Sequence, residues 1–529
     1  MQATLKRLTS SLSFKEIGII AICGTVLSLP FLNYYLGWLS IVVLVPFFWY
    51  LNSLQKRNLA TKQFVLRIWA IGFVFFAITI SWIFNIRATD LLADPWLRWL
   101  FLTLTLIIII CVYSVGFVIF AYIVKRFKLS LKDPKSFLLI PAIWIVCEFI
   151  RSFAFSAIAY GKGASIGDLW NFGNLGFSAS VTPLAYGGRI VGFYGISFLV
   201  VLLNLAIYQL LLGKLKKQAI ICLTLVVLVP GLGFILWRSD KPKNTVKAGL
   251  TFLESDFTTG GNYRDDLIYE IKKQNIVKTE ILILPEYSDI FVEEYSAKKD
   301  NELVGIFASK NNNLNIITSV SLESDDGRTN SVALYNEKGE LLKYQDKQFL
   351  IPGGEFVPYF YQAILIASGN SSFVISHQQD KTLLKGSEKA EPIQIKGVKY
   401  GVLACSGAIA PQYYQELTKD GAEVLVNSAS IASMGLDGFY FDQSKQMSRF
   451  IAIANNKQFV QSSRGGQSYV ISKDGKFELQ SKGTKTQYFN IDIQPNSSKT
   501  LYSNIGEWFL AFTTVSLGVY LIYSAIKKT

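Results

Sequence analysis

Residues 98–123 read RWLFLTLTLIIIICVYSVGFVIFAYI, an apolar run with a single charge, Arg98, at its edge. About 20 such residues let a helix cross the hydrocarbon core of a bilayer, so the segment predicts a membrane span. Outward from it, similar runs lie near residues 16–34, 36–54, 66–86, 136–153, 190–212, 217–237 and 508–525, which predicts eight spans. Pro30 and Pro46 interrupt the first two and loosen their limits. The 529-residue chain is 51% hydrophobic with a mean hydropathy of +0.32, as such spans require. No small-residue cleavage site follows the first run and further spans do, so the N-terminus reads as a retained span.

The charges orient these spans. Lys6, Arg7 and Lys15, then Lys56, Arg57 and Lys62, then Lys125, Arg126, Lys128, Lys132 and Lys135 fall in alternate loops. Lys214, Lys216 and Lys217, and finally Lys527 and Lys528, continue the pattern, while the opposite short loops hold only Arg87, Arg98, Arg151, Lys162 and Arg189. Basic residues in short loops stay in the cytoplasm, so both termini are expected inside and residues 238–506 outside. The expected division is a seven-span membrane part over 1–237, an extracytoplasmic domain over 238–506 and a last span over 507–529. The net charge of +14 fits this division: residues 238–506 hold 30 basic and 31 acidic residues, leaving the whole excess to the membrane part. A basic chain raises the question of nucleic acid. Here the excess reports topology, and no nucleic-acid partner is expected.

Residues 238–506 follow another rule. VKAGLTFLE (246–254), ILILPE (281–286), NIITSV (315–320), IKGVKYGVLAC (395–405), EVLVNSAS (423–430) and FVQSSR (459–464) read as strands. SVALYNEKGELLKYQ (331–345) reads as a hairpin, and helical patterns lie at 263–277, 292–310, 411–420 and 441–455. The alternation predicts an α/β domain with helices on both faces of a sheet. The stretch 368–392 is polar and irregular. Residues 154–188, between two spans, are rich in Gly, Ser and aromatics; a lid, a binding element and a plain connection all fit such a loop.

Of five cysteines, Cys23, Cys111, Cys147 and Cys222 lie inside apolar runs, where a small buried thiol is ordinary. Cys405 alone is outside, without a disulfide partner there, at a strand end that opens into a loop. It is either a nucleophile or a buried structural thiol. A nucleophilic thiol needs a base and an oxyanion stabiliser. The one histidine, His377, sits in the irregular stretch, a poor place to orient an imidazole. Glu286 ends the strand ILILPE, and Lys347 lies between apolar and Gly-Pro segments in YQDKQFLIPGGEFVPY; each is a candidate partner or an ordinary surface charge. Glu148 and Arg151, one helical turn apart near the outer end of the fifth span, are a second candidate charge pair, within the membrane or at its interface. One histidine and one outer cysteine cannot build the common zinc clusters, so neither metal nor cofactor is expected.

Together Glu286 after a proline at a strand end, Lys347 before Pro-Gly-Gly-Glu-Phe-Val-Pro, and Cys405 after a third strand resemble the nitrilase, or carbon-nitrogen hydrolase, superfamily. With seven spans before the domain and one after, the chain resembles its membrane-bound branch, the apolipoprotein N-acyltransferases. DKQFLIPGGEFVP (346–358), ISWIFNI (80–86), WIVCEFIRS (144–152) and GFYGISFLVVLLN (192–204) carry the likeness over nearly the whole chain. The resemblance implies an α-β-β-α sandwich, a Glu286–Lys347–Cys405 triad with Glu355 supporting the lysine, and a bacterial inner-membrane location. It implies transfer of an acyl chain from a phospholipid, through a Cys405 thioester, to the amine of a diacylglyceryl-cysteine lipoprotein. A membrane-bound amidase or acyltransferase with another amine, and a non-catalytic relative, are the alternatives. The departures are local: Ser406 and Gly407 stand where the family has an aromatic and a glutamate, and NSASIASMGLDG (427–438) replaces an Asn-Asp-aromatic loop. Ala454 stands near a usual glutamate, and a Gly-Phe-Pro-Trp pattern after the fifth span is missing.

Overall fold

The computed structural model describes residues 12–86, 95–238, 244–254, 263–273, 279–286, 288, 314–324, 327–367, 369, 371, 374–375, 386, 389–434 and 438–527. The helix expected near 292–310, His377 and most of 368–392 lie outside the described residues. The apolar runs form α1 (Phe14–Ser28), α2 (Val45–Gln55), α3 (Thr61–Thr79), α4 (Pro95–Arg126), α5 (Ser136–Ile158), α6 (Gly188–Leu211) and α7 (Lys216–Arg238). Among the described residues seven helices, one of them near the C-terminus, are long and apolar enough to cross a membrane. An eighth is reached if Tyr34–Ile41 and Val45–Gln55 count as one bent span. The 42° bend between those two has a chemical cause. Pro46 occupies the first turn of α2, where no backbone N–H is needed, so a new helix starts there.

A second break lies in α6, where Gly192 takes φ +69. The carboxylate of Glu507 enters this break and accepts from the N–H groups of Phe193 (2.9 Å) and Tyr194 (3.3 Å). It thereby satisfies donors that a helix start inside an apolar bundle would leave without water.

The α/β half contains β1 (Val246–Leu253), β2 (Ile281–Glu286), β3 (Asn315–Ser324), β4 (Gly327–Tyr335) and β5 (Leu341–Asp346). It continues with β6 (Ile393–Ile395), β7 (Val398–Ala404), β8 (Val424–Ser430), β9 (Gln458–Arg464), β10 (Tyr469–Ile471), β11 (Phe477–Gln480) and β12 (Gln487–Ile493). The strand path is β5-β4-β3-β2-β1-β9-β8-β7-β6. β1 meets β9 only at Phe252 and Leu253; the rest of β1 pairs antiparallel with β12. The sheet therefore splays into two leaves. Strand alternation sorts the side chains between them. Leu250, Ile283, Ile317 and Val332 from one leaf share an interior with Val402, Val426 and Val460 from the other.

The opposite faces are covered by helices. Leu282, Leu284 and Ile316 pack against Leu267 and Ile271 of α8 (Tyr263–Lys273). After α9 (Tyr359–Ala367), α10 (Pro411–Lys419) and α11 (Phe439–Asn455) cover the second leaf, with Leu417 and Ile451 against Leu425 and Phe459. The result is the α-β-β-α sandwich that the resemblance implies. β12, which the sequence reading left out, closes the splayed edge of β1. The chain ends in α12 (Trp508–Ile526), whose large apolar side chains, among them Val515, Val519 and Ile522, are exposed as on α7. Faces of this kind suit lipid rather than water.

Buried polar contacts join the halves. Arg189 of α6, fully buried, donates to the carbonyls of Ile453 (3.1 Å) and Lys473 (2.9 Å) and pairs with Asp474 (2.9 Å). Gln446 of α11 donates to Pro30 O (2.8 Å), and Gln443 to Phe31 O (3.2 Å) and Thr79 O (2.9 Å). A buried guanidinium stays only where acceptors replace its water. This one is shared between membrane helix and α/β half, which fixes their mutual placement.

Candidate active site

The site lies where β2, β5, β7 and β8 end. Strict alternation would put Glu286 on the outer face with Leu282 and Leu284. An extra residue in β2 changes this: Ile283 pairs with Ile317, and Glu286 with Ser319. The bulge, at the segment containing Pro285, turns Glu286 into the interior. There it is 1% exposed. One carboxylate oxygen, Oε1, accepts from Asn330 Nδ2 and from Lys347 Nζ (3.3 Å), and Oε2 accepts from the Ser430 N–H (3.1 Å).

Lys347 leaves the end of β5 with its N–H on Asn330 O (2.7 Å) and is 4% exposed. Its ammonium also contacts Glu355 Oε1 at 2.6 Å. The loop that follows turns back on itself: Gly353 takes φ +82, and Glu355 Oε2 accepts from Ile351 N–H at 2.8 Å. The carboxylate of Glu355 is thus tied to its own loop and to the lysine at once. Burial, and secondarily the charge of Glu286, push its pKa above the usual carboxylate range, while Lys347 opposes the shift.

Cys405 follows the last residue of β7 and takes φ +39, a left-handed conformation that costs a non-glycine residue about 1–2 kcal/mol. Strain of this sort persists only where neighbours impose it. Asn427 Nδ2 donates to Cys405 O (3.1 Å), and the chain continues into the tight turn Cys405–Ile409. The thiol donates to Ser430 O at 3.3 Å. Burial, then the negative charge of Glu286, raise its pKa, with Lys347 acting the other way. The resting thiol is protonated. Ser430 is the joint of the site: its N–H holds Glu286 and its carbonyl holds the thiol of Cys405.

The structure therefore brings Glu286 and Lys347, both buried, together with the half-buried Cys405 and Glu355 in one cluster. Sequence reasoning missed Asn330, which acts through its side-chain amide and its carbonyl, and Ser430, which acts through its backbone; neither carries a motif of its own. Glu148 and Arg151 are elsewhere and do not pair with each other. Both serve residues 165–175: Arg151 donates to Phe172 O (2.8 Å) and to Asn174, and Glu148 accepts from Leu175 N–H (3.0 Å). Ser152 and Tyr113 both donate to Trp170 O, at 2.9 and 3.0 Å. The loop between α5 and α6 is thus a fixed wall whose carbonyls are satisfied inside the bundle. Trp170 packs on Phe349, two residues past Lys347, with ring centroids 5.0 Å apart. Phe172 packs on Trp82 (5.2 Å) and faces Tyr440 (6.0 Å). Aromatic side chains of the membrane half thus reach Phe349, two residues past Lys347, and Tyr440 of α11. Among the described residues no group of three or more His, Cys, Asp or Glu could hold a metal ion.

Residues 23–206 match the apolipoprotein N-acyltransferase N-terminal domain, and residues 254–500 match the carbon-nitrogen hydrolase family. The apolipoprotein N-acyltransferase of Haemophilus ducreyi is 22% identical over 507 residues, covering 93% of each chain. That of Coxiella burnetii is 23% identical over 499 residues, covering 90% of this chain and 94% of the other. The chain belongs to the apolipoprotein N-acyltransferase family. The same enzyme of Photobacterium profundum, 21% identical over 520 residues, covers 94% of both. Among solved structures, the carbon-nitrogen hydrolase of Helicobacter pylori G27 aligns with a TM-score of 0.33 and 19% identity, over 47% of this chain and 89% of that one. Membership in this family makes the chain a multi-pass membrane protein of the nitrilase superfamily.

Proposed function

We propose that this protein is an apolipoprotein N-acyltransferase working through a Cys405 thioester. The observation that carries the reading is the meeting of carboxylate, ammonium and thiol around Ser430, in a chain related to such enzymes along nearly its full length. Glu286 takes the thiol proton as the sulfur attacks the ester carbonyl of a phospholipid acyl chain. Apo geometry parks that proton on Ser430 O; rotation about the Cys405 side chain brings it to the carboxylate, as catalytic contacts commonly tighten on binding. Lys347 faces the oxyanion that forms, and in a site this buried a fixed charge is worth far more than in water. Collapse breaks the C–O bond, Glu286 returns the proton to the departing lysophospholipid, and the acyl chain stays on sulfur. The α-amine of a diacylglyceryl-cysteine lipoprotein then attacks, the C–S bond breaks, and Glu286 carries the amine proton to the thiolate. Glu355 holds Lys347 in place by its own contact with the ammonium.

Both substrates carry acyl chains, and the aromatic wall of Trp170, Phe172 and Trp82 gives them an apolar approach from the bilayer. We place residues 1–237 and 507–529 in the bacterial inner membrane with both termini cytoplasmic, and 238–506 on the outer face. The distribution of lysine and arginine supports that topology. Mass spectrometry of a lipoprotein co-expressed with the full chain tests the acceptor. Its N-terminal cysteine should gain a third acyl chain with the wild type and stay diacylated with Cys405→Ser. A lipoprotein left diacylated by the wild type contradicts the assignment and favours another amine.

A further inference from the structure

The two residues after the nucleophile give the site no side chain. Ser406, 1% exposed, turns its hydroxyl to Phe349 O. Gly407 has no room for one, since an added Cβ would lie 2.6 Å from Leu403 Cβ. α11 packs against the Cys405–Ile409 turn, and its second residue, Tyr440, is 6% exposed. Trp82 (5.0 Å) and Phe172 (6.0 Å), both from the membrane half, hold the Tyr440 ring edge-on and tilted. The Tyr440 hydroxyl makes no hydrogen bond to any described residue. The neighbouring indole N–H of Trp82 is buried and also without an acceptor.

Buried donors in proteins nearly always have acceptors, and a tyrosine hydroxyl in an apolar setting usually finds one. One buried donor without an acceptor and one hydroxyl without a protein partner, in an aromatic cluster packed on the Cys405–Ile409 turn, point to a ligand that brings acceptor oxygens. The fatty acyl ester of the donor lipid is such a ligand, with a carbonyl that must lie at the thiol. We propose that Tyr440 donates its hydroxyl hydrogen bond to that carbonyl oxygen and strengthens it as the oxyanion forms, sharing this task with Lys347. The inference rests on the acyl-transfer reading above. It involves no net proton transfer: the phenol keeps its proton throughout. Burial, and next the negative charge that develops on Cys405, hold its pKa well above the usual phenol range, so it remains a neutral donor at any working pH. Trp82 and Phe172 are positioning residues for the ring.

The test uses the full chain in mixed micelles with palmitoyl-oleoyl phosphatidylethanolamine and phosphatidylglycerol. Tyr440→Phe removes the hydroxyl and keeps the ring. Two rates are read by intact mass: acylation of Cys405 by phospholipid, and alkylation of Cys405 by iodoacetamide, which builds no oxyanion. Acylation should fall on the order of 100-fold, the usual effect of losing one oxyanion donor, while alkylation stays within about twofold of wild type. Acylation within about twofold of wild type overturns the proposal. So does an equal fall in both rates, which would mean that Tyr440 serves the thiol or the fold. Wild-type enzyme that alkylates but never acylates refutes the acyl-transfer reading itself, and the role of Tyr440 with it.

Discussion

Three residues in the cluster meet opposite electrostatic demands. Lys347 sits between the buried carboxylate of Glu286 at 3.3 Å and the half-buried one of Glu355 at 2.6 Å, and a buried cation needs such partners. The arrangement predicts a particular response to acid. Glu355 has its pKa raised by burial and by Glu286, so as pH falls it takes up a proton above the ordinary glutamate range of about 4.3. Its bond to the lysine then loses its charge. The acid limb of Cys405 acylation should lie above that range, and Glu355→Gln should shift the limb while lowering the plateau rate about tenfold, as expected for a lost hydrogen bond to a charged group. An acid limb unchanged in the variant contradicts this role. Glu286, Lys347, Cys405 and Glu355 stood out in the sequence as candidates because each stands in a short motif beside prolines or glycines, and the structure brings the four together. Tyr440 was not: it follows no signal, and its position depends on how α11 docks against Trp82 and Phe172.

At the scale of elements, irregularities carry the site. The bulge in β2 turns Glu286 inward, and no hydrophobic pattern could announce it, because ILILPE reads as a plain buried strand. The loop at 154–188 reads in sequence equally as lid, binding element or connection; what ties down its 170–175 stretch is the row of donors and acceptors on one face of α5, which face the loop backbone only once the helix is packed. Helix α6 holds a third irregularity. Gly192 lies at φ +69 against the Glu507 carboxylate, which ties the last span to α6. Gly192→Ala would place a methyl on that carboxylate and force a side chain into left-handed backbone. A loss of at least about 2 kcal/mol is expected, read as a lower unfolding midpoint in detergent. Gly231→Ala in α7, where an added Cβ meets open space, is the control and should leave the midpoint unchanged or slightly higher. Equal midpoints for the two variants would contradict the latch between α6 and α12.

At the scale of the whole molecule, two folding rules share one chain. The long apolar helices were legible to within a few residues, since the bilayer dictates the length and composition of such runs. The sandwich was legible as strand-helix alternation, but not its splaying into two leaves, which depends on β12 returning over 230 residues later to pair with β1. The joint between halves was invisible in sequence: Arg189 reads as one stray charge at a span end, and only packing gives it the carbonyls of Ile453 and Lys473. Beside that joint, Trp82, Trp170 and Phe172 of the membrane half pack on Tyr440 and Phe349 of the α/β half. The central claim is that Cys405 carries the acyl group, and intact-protein mass spectrometry of the purified chain with phospholipid and no acceptor tests it most directly. Wild-type protein should gain the mass of one acyl chain, removed by neutral hydroxylamine as a thioester is, and Cys405→Ser should gain none that hydroxylamine removes. Wild-type protein that keeps its unmodified mass, or an adduct that maps to another residue, would contradict the account.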